Sequence, residues 1–191
     1  MDNQFIIVIG HKSGCSGNQT AELLAKKLGV RLYSKALADE MLPAGKISYC
    51  VDENGFITAS PKNNVEAKKK LKRGEVIATF SYIRERALRG ECFVVLESCA
   101  DYYLSDLPCV TRVFLTADDA WRISSVSTSE GISERDAEKL IRHTDRSRRA
   151  FHDYYCKTRW GSEKSYDCVI DCTGKSADEI SDKIKALIND L

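Results

Sequence analysis

The sequence predicts an α/β fold in which helices cover both faces of a parallel sheet. Two observations indicate it: short buried-strand runs alternate with helical patterns along the chain, and a glycine-rich loop follows the first run. Parallel sheets are covered on both faces because their crossover helices pack there. Ligands in such folds bind at the carboxyl ends of the strands, so the glycine-rich loop marks the expected site.

The predicted elements follow this alternation from one end of the chain to the other. Strands are expected at short apolar runs, over residues 4–9, 30–34, 92–97, 110–116 and 167–172. Helices are expected at amphipathic patterns, over residues 18–28, 35–42, about 65–89, 118–126, 133–155 and 176–191. Gly29 ends the first helix, and Ser133 with Asp136 has the spacing of a capping box. Residues 44–63 are expected to form a loop.

Composition and charge restrict the class of protein. The 191 residues suit a single domain with its own core, and a net charge of +1 gives no field that would attract nucleic acid or an acidic membrane. No apolar run reaches the roughly 18 residues that span a bilayer, and the N-terminus lacks the basic segment of a secretory signal. The eight cysteines contain no C-x-x-C pair and no ligand spacing with the histidines. We therefore expect reduced thiols, a cytoplasmic location, and neither nucleic acid nor membrane as partner.

The loop "GHKSGCSGNQT" has the features of a phosphate-binding loop. Glycines allow backbone N–H groups to approach phosphate oxygens closely, and the following helix adds its positive N-terminus. The expected nucleotide contacts are Gly10, Lys12, Gly14, Cys15, Ser16, Gly17, Asn18, Gln19 and Thr20. Asn18 stands where the strict G-x-x-x-x-G-K-[ST] pattern has lysine. Lys12 could supply the missing charge; the alternatives are that Lys12 points to solvent and that this turn binds nothing.

A second signal is the basic segment over residues 140–160. Arg142, Arg146 and Arg149 fall on one helical face, whereas Asp145, Arg148 and His152 define a neighbouring face. One guanidinium group can bind two phosphate oxygens at once, and it neutralises the charge on a transferred phosphoryl group. An exposed helix of salt bridges is the other interpretation, and nucleic-acid binding is disfavoured by the weak net charge and the lack of interleaved aromatic residues.

These signals together resemble the cytidylate kinase-like family. The resemblance rests on the loop, on "VVLESCADYYL", and on the tail "GISERDAEKLIRHTDRSRRAFHDYYCKTRWGSEKSYDCVIDC", and it covers nearly the whole chain except about 40–75. It implies a three-layer P-loop nucleoside-monophosphate-kinase fold with a helical lid, in one domain over 1–191. The core would comprise 1–33, 91–127 and 163–191, with an acceptor-binding segment over about 34–90 and a lid over about 128–162.

The resemblance also implies roles for individual residues. Asp145, Arg146 and Arg148 match the lid pattern; Arg148 would contact the donor or transferring phosphate, Asp145 would orient neighbouring arginines, and Arg149 is a further catalytic candidate. The chain departs from the family at "ESCAD", where Glu97 and Ser98 replace a Gly-Arg pair whose arginine would bind the acceptor phosphate.

Substrate-binding and metal-binding candidates follow from these departures. Ser98, Asp101 and Arg84 are expected to contact the acceptor, with Arg84 as a possible replacement cation. Thr20 and Glu97 are the candidate Mg²⁺ ligands, since a carboxylate at a strand end and a loop hydroxyl are the usual ones. An unrelated polar strand end is the other interpretation of Glu97.

The favoured function is an ATP- and Mg²⁺-dependent phosphotransferase acting on a nucleoside monophosphate or another small acceptor. The alternative is a nucleotide-binding module without turnover, favoured by the changes at Asn18 and Ser98. A purely structural domain is disfavoured by the arginine-rich lid.

Overall fold

The computed structural model of the chain describes residues 4–34, 82–96 and 99–189. Five strands form one sheet: β1 Ile6–His11, β2 Arg31–Ser34, β3 Phe93–Leu96, β4 Val110–Thr116 and β5 Cys168–Asp171. Their order is β2-β3-β1-β4-β5, and each neighbouring pair is parallel. The strand that leads into the glycine-rich loop therefore occupies the centre of the sheet.

Six helices are described: α1 Gly17–Leu28, α2 over residues 82–88, α3 Ala100–Tyr103, α4 Asp119–Glu130, α5 Glu134–Tyr155 and α6 Ala177–Asn189. A short 3-10 turn precedes β5 at Glu163–Ser165. The predicted cap of α5 is present, since the Ser133 hydroxyl accepts a hydrogen bond from the Asp136 N–H. Asp118 caps α4 in the same way, accepting from the N–H groups of Ala120 and Trp121.

Alternate residues of β1 enter two separate cores, one on each face of the sheet. Ile7 and Ile9 pack with residues of α1 and α6, including Leu24 and Ile184. Ile6 and Val8 pack on the other face, in a cluster that holds Tyr33, Ile83, Phe93, Cys99, Leu104 and Cys156. Both faces of the sheet are thus covered, which confirms the predicted α/β fold of three layers.

The predicted elements agree with the described ones apart from their ends and one short helix. β1 ends two residues later than predicted, at His11, because its ladder with β4 continues to Leu115. Helix α3 was not predicted, since four residues are too few to show a helical period. The helix expected over 35–42, the loop over 44–63 and most of the helix over 65–89 lie outside the described residues. No helix in the described part of the chain is long and apolar enough to cross a membrane.

Candidate active site

The glycine-rich loop lies at the carboxyl end of the central strand β1 and runs into the first turn of α1. The Lys12 N–H donates to the Leu115 carbonyl at 3.0 Å, so the loop begins as a continuation of the β1–β4 ladder. Gly14 has a φ of 83° and Ser16, directly before α1, a φ of 51°. This left-handed backbone is uncommon outside glycine and turns the chain sharply toward the helix. Parallel α/β sheets bind their ligands at this edge.

Two glycines of the loop are required by close neighbours. A Cβ atom on Gly14 would lie 2.9 Å from the Cβ and carbonyl oxygen of Arg122 in α4. A Cβ atom on Gly17 would collide with the imidazole ring of His11. The loop is therefore packed from two sides, by α4 and by the His11 side chain.

His11 is an uncharged side chain inside the loop. Burial, and to a lesser degree the charge of Arg148, lowers the pKa of the imidazole to about 3. Its Nδ1 atom lies 3.1 Å from the Lys12 carbonyl oxygen and 3.2 Å from Arg148 Nη1. A neutral ring beside the loop adds no positive charge of its own to a phosphate site.

Arg148 brings a positive charge from α5 to the loop. Its Nη1 group donates to the His11 carbonyl at 2.9 Å, across 137 positions of sequence. The guanidinium is half-buried between α5 and the loop. The predicted lid arginine thus contacts the predicted phosphate loop directly.

Asp145, one helical turn before Arg148, ties the same helix to the loop backbone. Its Oδ1 accepts from the Ser13 N–H at 2.8 Å, and its Oδ2 accepts from Arg122 Nη1 at 2.6 Å. We expected Asp145 to orient neighbouring arginines, and the arginine that it binds is Arg122 of α4. A carboxylate on a loop N–H occupies a donor of the kind that binds phosphate oxygens.

Arg122 is a functional candidate that was not predicted from the sequence. It is 6% exposed; Nη1 also donates to the Ser13 carbonyl at 3.1 Å, and Nη2 donates to Asp119 Oδ1 at 2.6 Å. Its Nε–H is buried without a hydrogen-bond partner in the described residues. One signal was present in the sequence, since Arg122 lies four residues before the buried Val126 and so on the inward face of α4.

The remaining predicted loop residues divide by exposure. Asn18 and Gln19 are exposed in the first turn of α1, and Lys12 is half-buried. Lys12 lies close enough to Asp119 for its charge to lower the pKa of that carboxyl, after the larger effect of Arg122. Burial raises the pKa of the Cys15 thiol to about 12, so this cysteine stays protonated. The Thr20 hydroxyl is fully buried and has no hydrogen-bond partner among the residues described, which suits a ligand of a cation bound with phosphate.

Two other arginines of the expected lid, Arg146 and Arg149, make no described contact with the loop. Arg146 is exposed, and the Arg149 guanidinium lies 5.8 Å from the centre of the Trp160 ring. Within the expected catalytic set, the structure brings Asp145 and Arg148 together on the loop.

The expected acceptor-binding residues are separated. Asp101 is buried in α3, where its Oδ2 lies 2.9 Å from His152 Nε2. Arg84 forms a two-pronged ion pair with Asp106, with Nη1–Oδ1 at 2.6 Å. Glu97 and Ser98 lie outside the described residues, as does most of the expected acceptor segment. Among the residues described, no group of three or more metal-ligating side chains could hold an ion.

Comparison with solved structures supports the fold. The chain is similar to an uncharacterized protein from Eubacterium ventriosum, with 28% identity, a TM-score of 0.79, and coverage of 98% of this chain and 100% of that one. A shikimate kinase from Acinetobacter baumannii in complex with shikimate has 12% identity, a TM-score of 0.57 and coverage of 99% and 94%. A gluconokinase from Sinorhizobium meliloti has 15% identity, a TM-score of 0.53 and coverage of 97% and 92%. The last two likenesses show a shared fold.

Sequence comparison identifies the family. No curated protein matches the chain. The model of the cytidylate kinase-like family matches residues 6–174, a span that includes the loop, β1 to β5 and helix α5. The predicted P-loop kinase fold is therefore confirmed, and the chain belongs to the cytidylate kinase-like family.

Proposed function

We propose that the chain is an ATP-dependent phosphotransferase that transfers the γ-phosphate to a nucleoside monophosphate or another small acceptor. The observation that carries the proposal is the contact of Arg148 with the loop, where Nη1 donates to the His11 carbonyl at 2.9 Å. A cation from the lid helix is thus held where the phosphates of a bound nucleotide would lie. Phosphoryl transfer depends mainly on such positioning and charge stabilisation.

The loop and the lid would divide the work. Backbone N–H groups of the loop and the N-terminus of α1 would bind the β- and γ-phosphates. Arg148 would exchange its carbonyl partner for a phosphate oxygen, since a charge-assisted hydrogen bond is about twice as strong as a neutral one. Lys12 would compensate for the charge missing at Asn18, and the exposed Arg146 and Arg149 would join when the lid closes.

Asp145 and Arg122 would set the geometry of the loop. Asp145 holds the Ser13 N–H, and Arg122 holds both Asp145 and the Ser13 carbonyl. Nucleotide binding would release the Ser13 N–H toward a phosphate oxygen while the Arg122 contacts persist. The same buried network would then support both the empty and the loaded loop.

Mg²⁺ would enter with the nucleotide. The Thr20 hydroxyl would be its protein ligand in the loop, with Glu97 as the second candidate, and the rest of its shell would be phosphate oxygens and water. The ion supplies neutralisation of the charge that develops on the phosphates during transfer.

The family and the solved neighbours suggest different classes of acceptor. The family argues for a nucleoside monophosphate, whereas the solved neighbours with this fold include kinases of shikimate and gluconate. Asp101 and Arg84 are already paired, to His152 and Asp106, so acceptor binding by either would require an exchange of partner. The proposed arrangement keeps one domain over 1–191, with 34–90 as acceptor segment and 128–162 as lid, in the cytoplasm. The comparisons give no support to the alternative of a nucleotide-binding module without turnover.

A phosphotransfer screen tests the proposal. The protein would be incubated with Mg²⁺-ATP and, separately, with each nucleoside monophosphate, shikimate and gluconate, and phosphorylated product would be measured by mass spectrometry. We expect acceptor-dependent ADP formation with one class, lost in Arg148→Ala and kept in Arg142→Ala, which removes an exposed arginine of the same helix. The absence of product with every acceptor, in protein that binds ATP, would overturn the proposed transfer.

A further inference from the structure

A buried charged pair joins the end of α5 to α3, away from the loop contacts of the lid helix. His152 is fully buried and Asp101 is 5% exposed, and Nε2 lies 2.9 Å from Oδ2. Burial alone would hold the pKa of the imidazole down, but hydrogen bonds to Asp101 and Cys156 outweigh it and raise this pKa to about 10. His152 is therefore a cation at neutral pH.

The imidazole of His152 also interacts with a thiol. Its Nδ1 atom is buried, makes no hydrogen bond among the described residues, and lies 3.6 Å from Asp153 Oδ1. Cys156, which ends α5 and donates its N–H to the His152 carbonyl at 2.8 Å, has the thiol that interacts with the imidazole. A cation beside a sulfur atom stabilises the thiolate over the thiol.

Cys99 brings a second thiol to the same place. Hydrogen bonding from the Cys99 thiol is the largest influence on Cys156 and, with the smaller contribution of His152, lowers the pKa of the Cys156 thiol to about 7. Cys99 is fully buried between β3 and α3, and its φ of 79° is a strained value for a residue with a side chain. Cys99 and Cys156 belong to one buried core cluster, and the Cys156 thiol interacts with the imidazole that Asp101 holds.

The cluster differs from the other buried cysteines in the described part of the chain. Burial raises the pKa of Cys15 to about 12 and that of Cys172 to about 11, so both are inert thiols. Cys156 retains 8% exposure at the end of its helix, beside the exposed Lys157. Among the buried cysteines described, Cys156 is thus the least enclosed, and its neighbours favour the thiolate.

We propose that Cys156 and Cys99 form a peroxide-reactive thiol pair that closes to a disulfide. The Cys156 thiolate attacks one oxygen of hydrogen peroxide and forms Cys156–SOH, while the leaving oxygen takes a proton from His152 and departs as water. The Cys99 thiol then displaces the hydroxyl, which leaves with the Cys99 proton as a second water. The two sulfur atoms are oxidised by two electrons in total, and peroxide is reduced to two molecules of water.

The bond would fix the end of α5 to the junction of β3 and α3. Since α5 also carries Arg148, oxidation would restrain the lid and lower phosphotransfer until a thiol reductant restored it. This consequence rests on the proposed kinase function, whereas the disulfide itself does not.

Peptide mapping tests the pair without any assay of activity. The full chain would be treated with hydrogen peroxide at pH 7, alkylated without reduction, digested and analysed by mass spectrometry. We expect a linked peptide containing Cys99 and Cys156 that disappears after dithiothreitol. In Cys99→Ala we expect a sulfenic acid at Cys156 that dimedone traps, and in the control Cys172→Ala we expect the link unchanged.

A second variant separates the role of His152 from mere proximity of the thiols. His152→Gln should slow sulfenylation of Cys156 by about tenfold or more at pH 7, because it removes both the imidazolium beside the thiolate and the acid that protonates the leaving oxygen. Oxidation of other cysteines while Cys156 stays reduced, or an unlinked Cys156 in the wild type, would overturn the proposal even in an active kinase.

Discussion

Arg148 is the residue that links the two halves of the candidate site. It donates to the His11 carbonyl of the loop, and the same guanidinium lies 3.2 Å from the neutral His11 ring. A loop with Asn18 in place of lysine would otherwise carry little positive charge. Charge from a neighbouring helix can replace charge in the motif, because phosphate affinity depends on where the cations lie in space.

Lys12 is a second source of positive charge in the loop. It is half-buried in the loop and lies near enough to Asp119 to influence its ionisation. We predict that Lys12→Ala weakens ATP binding by about tenfold, the effect of losing one charge-assisted contact. The measurement is calorimetric titration with Mg²⁺-ATP, with Lys26→Ala in α1 as control. Equal affinity in Lys12→Ala and wild type would remove Lys12 from the site.

A substitution at Gly17 tests how tightly the loop is packed. An added methyl would collide with the His11 ring, so Gly17→Ala should destabilise the protein by about 1–3 kcal/mol. The double variant His11→Ala/Gly17→Ala should recover much of that loss, because the ring is removed with the clash. Urea unfolding of the four members of this cycle gives the coupling energy. Additive losses would mean that the ring does not press on Gly17.

Helix α5 acts as one element with two docking points. Its Ser133 cap and amphipathic pattern predicted its extent, and the face with Asp145, Arg148 and His152 turns inward. The first two residues contact the loop, and the third meets α3 one turn further on. Spacings of three and four residues place these side chains on one face of the helix, as the sequence predicted.

A substitution at Asp145 tests whether this residue anchors α5 to the loop. Asp145→Asn should lower the free energy of unfolding by about 2 kcal/mol or more, because it leaves Arg122 buried with a weakened partner. The matched control is Glu138→Gln, which breaks the exposed pair with Arg142 on the same helix and should cost under about 0.5 kcal/mol. Similar losses in the two variants, measured by urea unfolding, would show that Asp145 does not anchor α5.

At the scale of the whole molecule, the secondary structure could be predicted from the sequence, whereas several long-range contacts could not. The strands and all described helices except the four-residue α3 could be predicted, because local apolar runs and capping residues mark them. The roles of Arg122, His11 and Cys99 could not, because their partners lie far along the chain: Arg122 meets Ser13 across 109 positions and His11 meets Arg148 across 137. Such contacts depend on the order of strands in the sheet, which periodicity does not specify.

Stability of the whole molecule should depend on His11 at acid pH. Its folded pKa of about 3 lies below the unfolded value of 6.5, so protonation favours the unfolded state. The linked loss begins as the pH falls below 6.5, continues to about 3, and amounts to at most about 2 kcal/mol at pH 5. His11→Asn should lose less stability than the wild type between pH 7 and pH 5 in urea unfolding. Equal losses would show that His11 titrates normally in the folded protein.

Calorimetric titration of the protein with Mg²⁺-ATP tests whether the loop and α5 together form a nucleotide site. We predict micromolar binding by the wild type, affinity weakened by about tenfold or more in Arg148→Ala, and unchanged affinity in Arg142→Ala. Heats that stay at the level of dilution with millimolar ATP, or equal affinity in wild type and Arg148→Ala, would contradict this prediction.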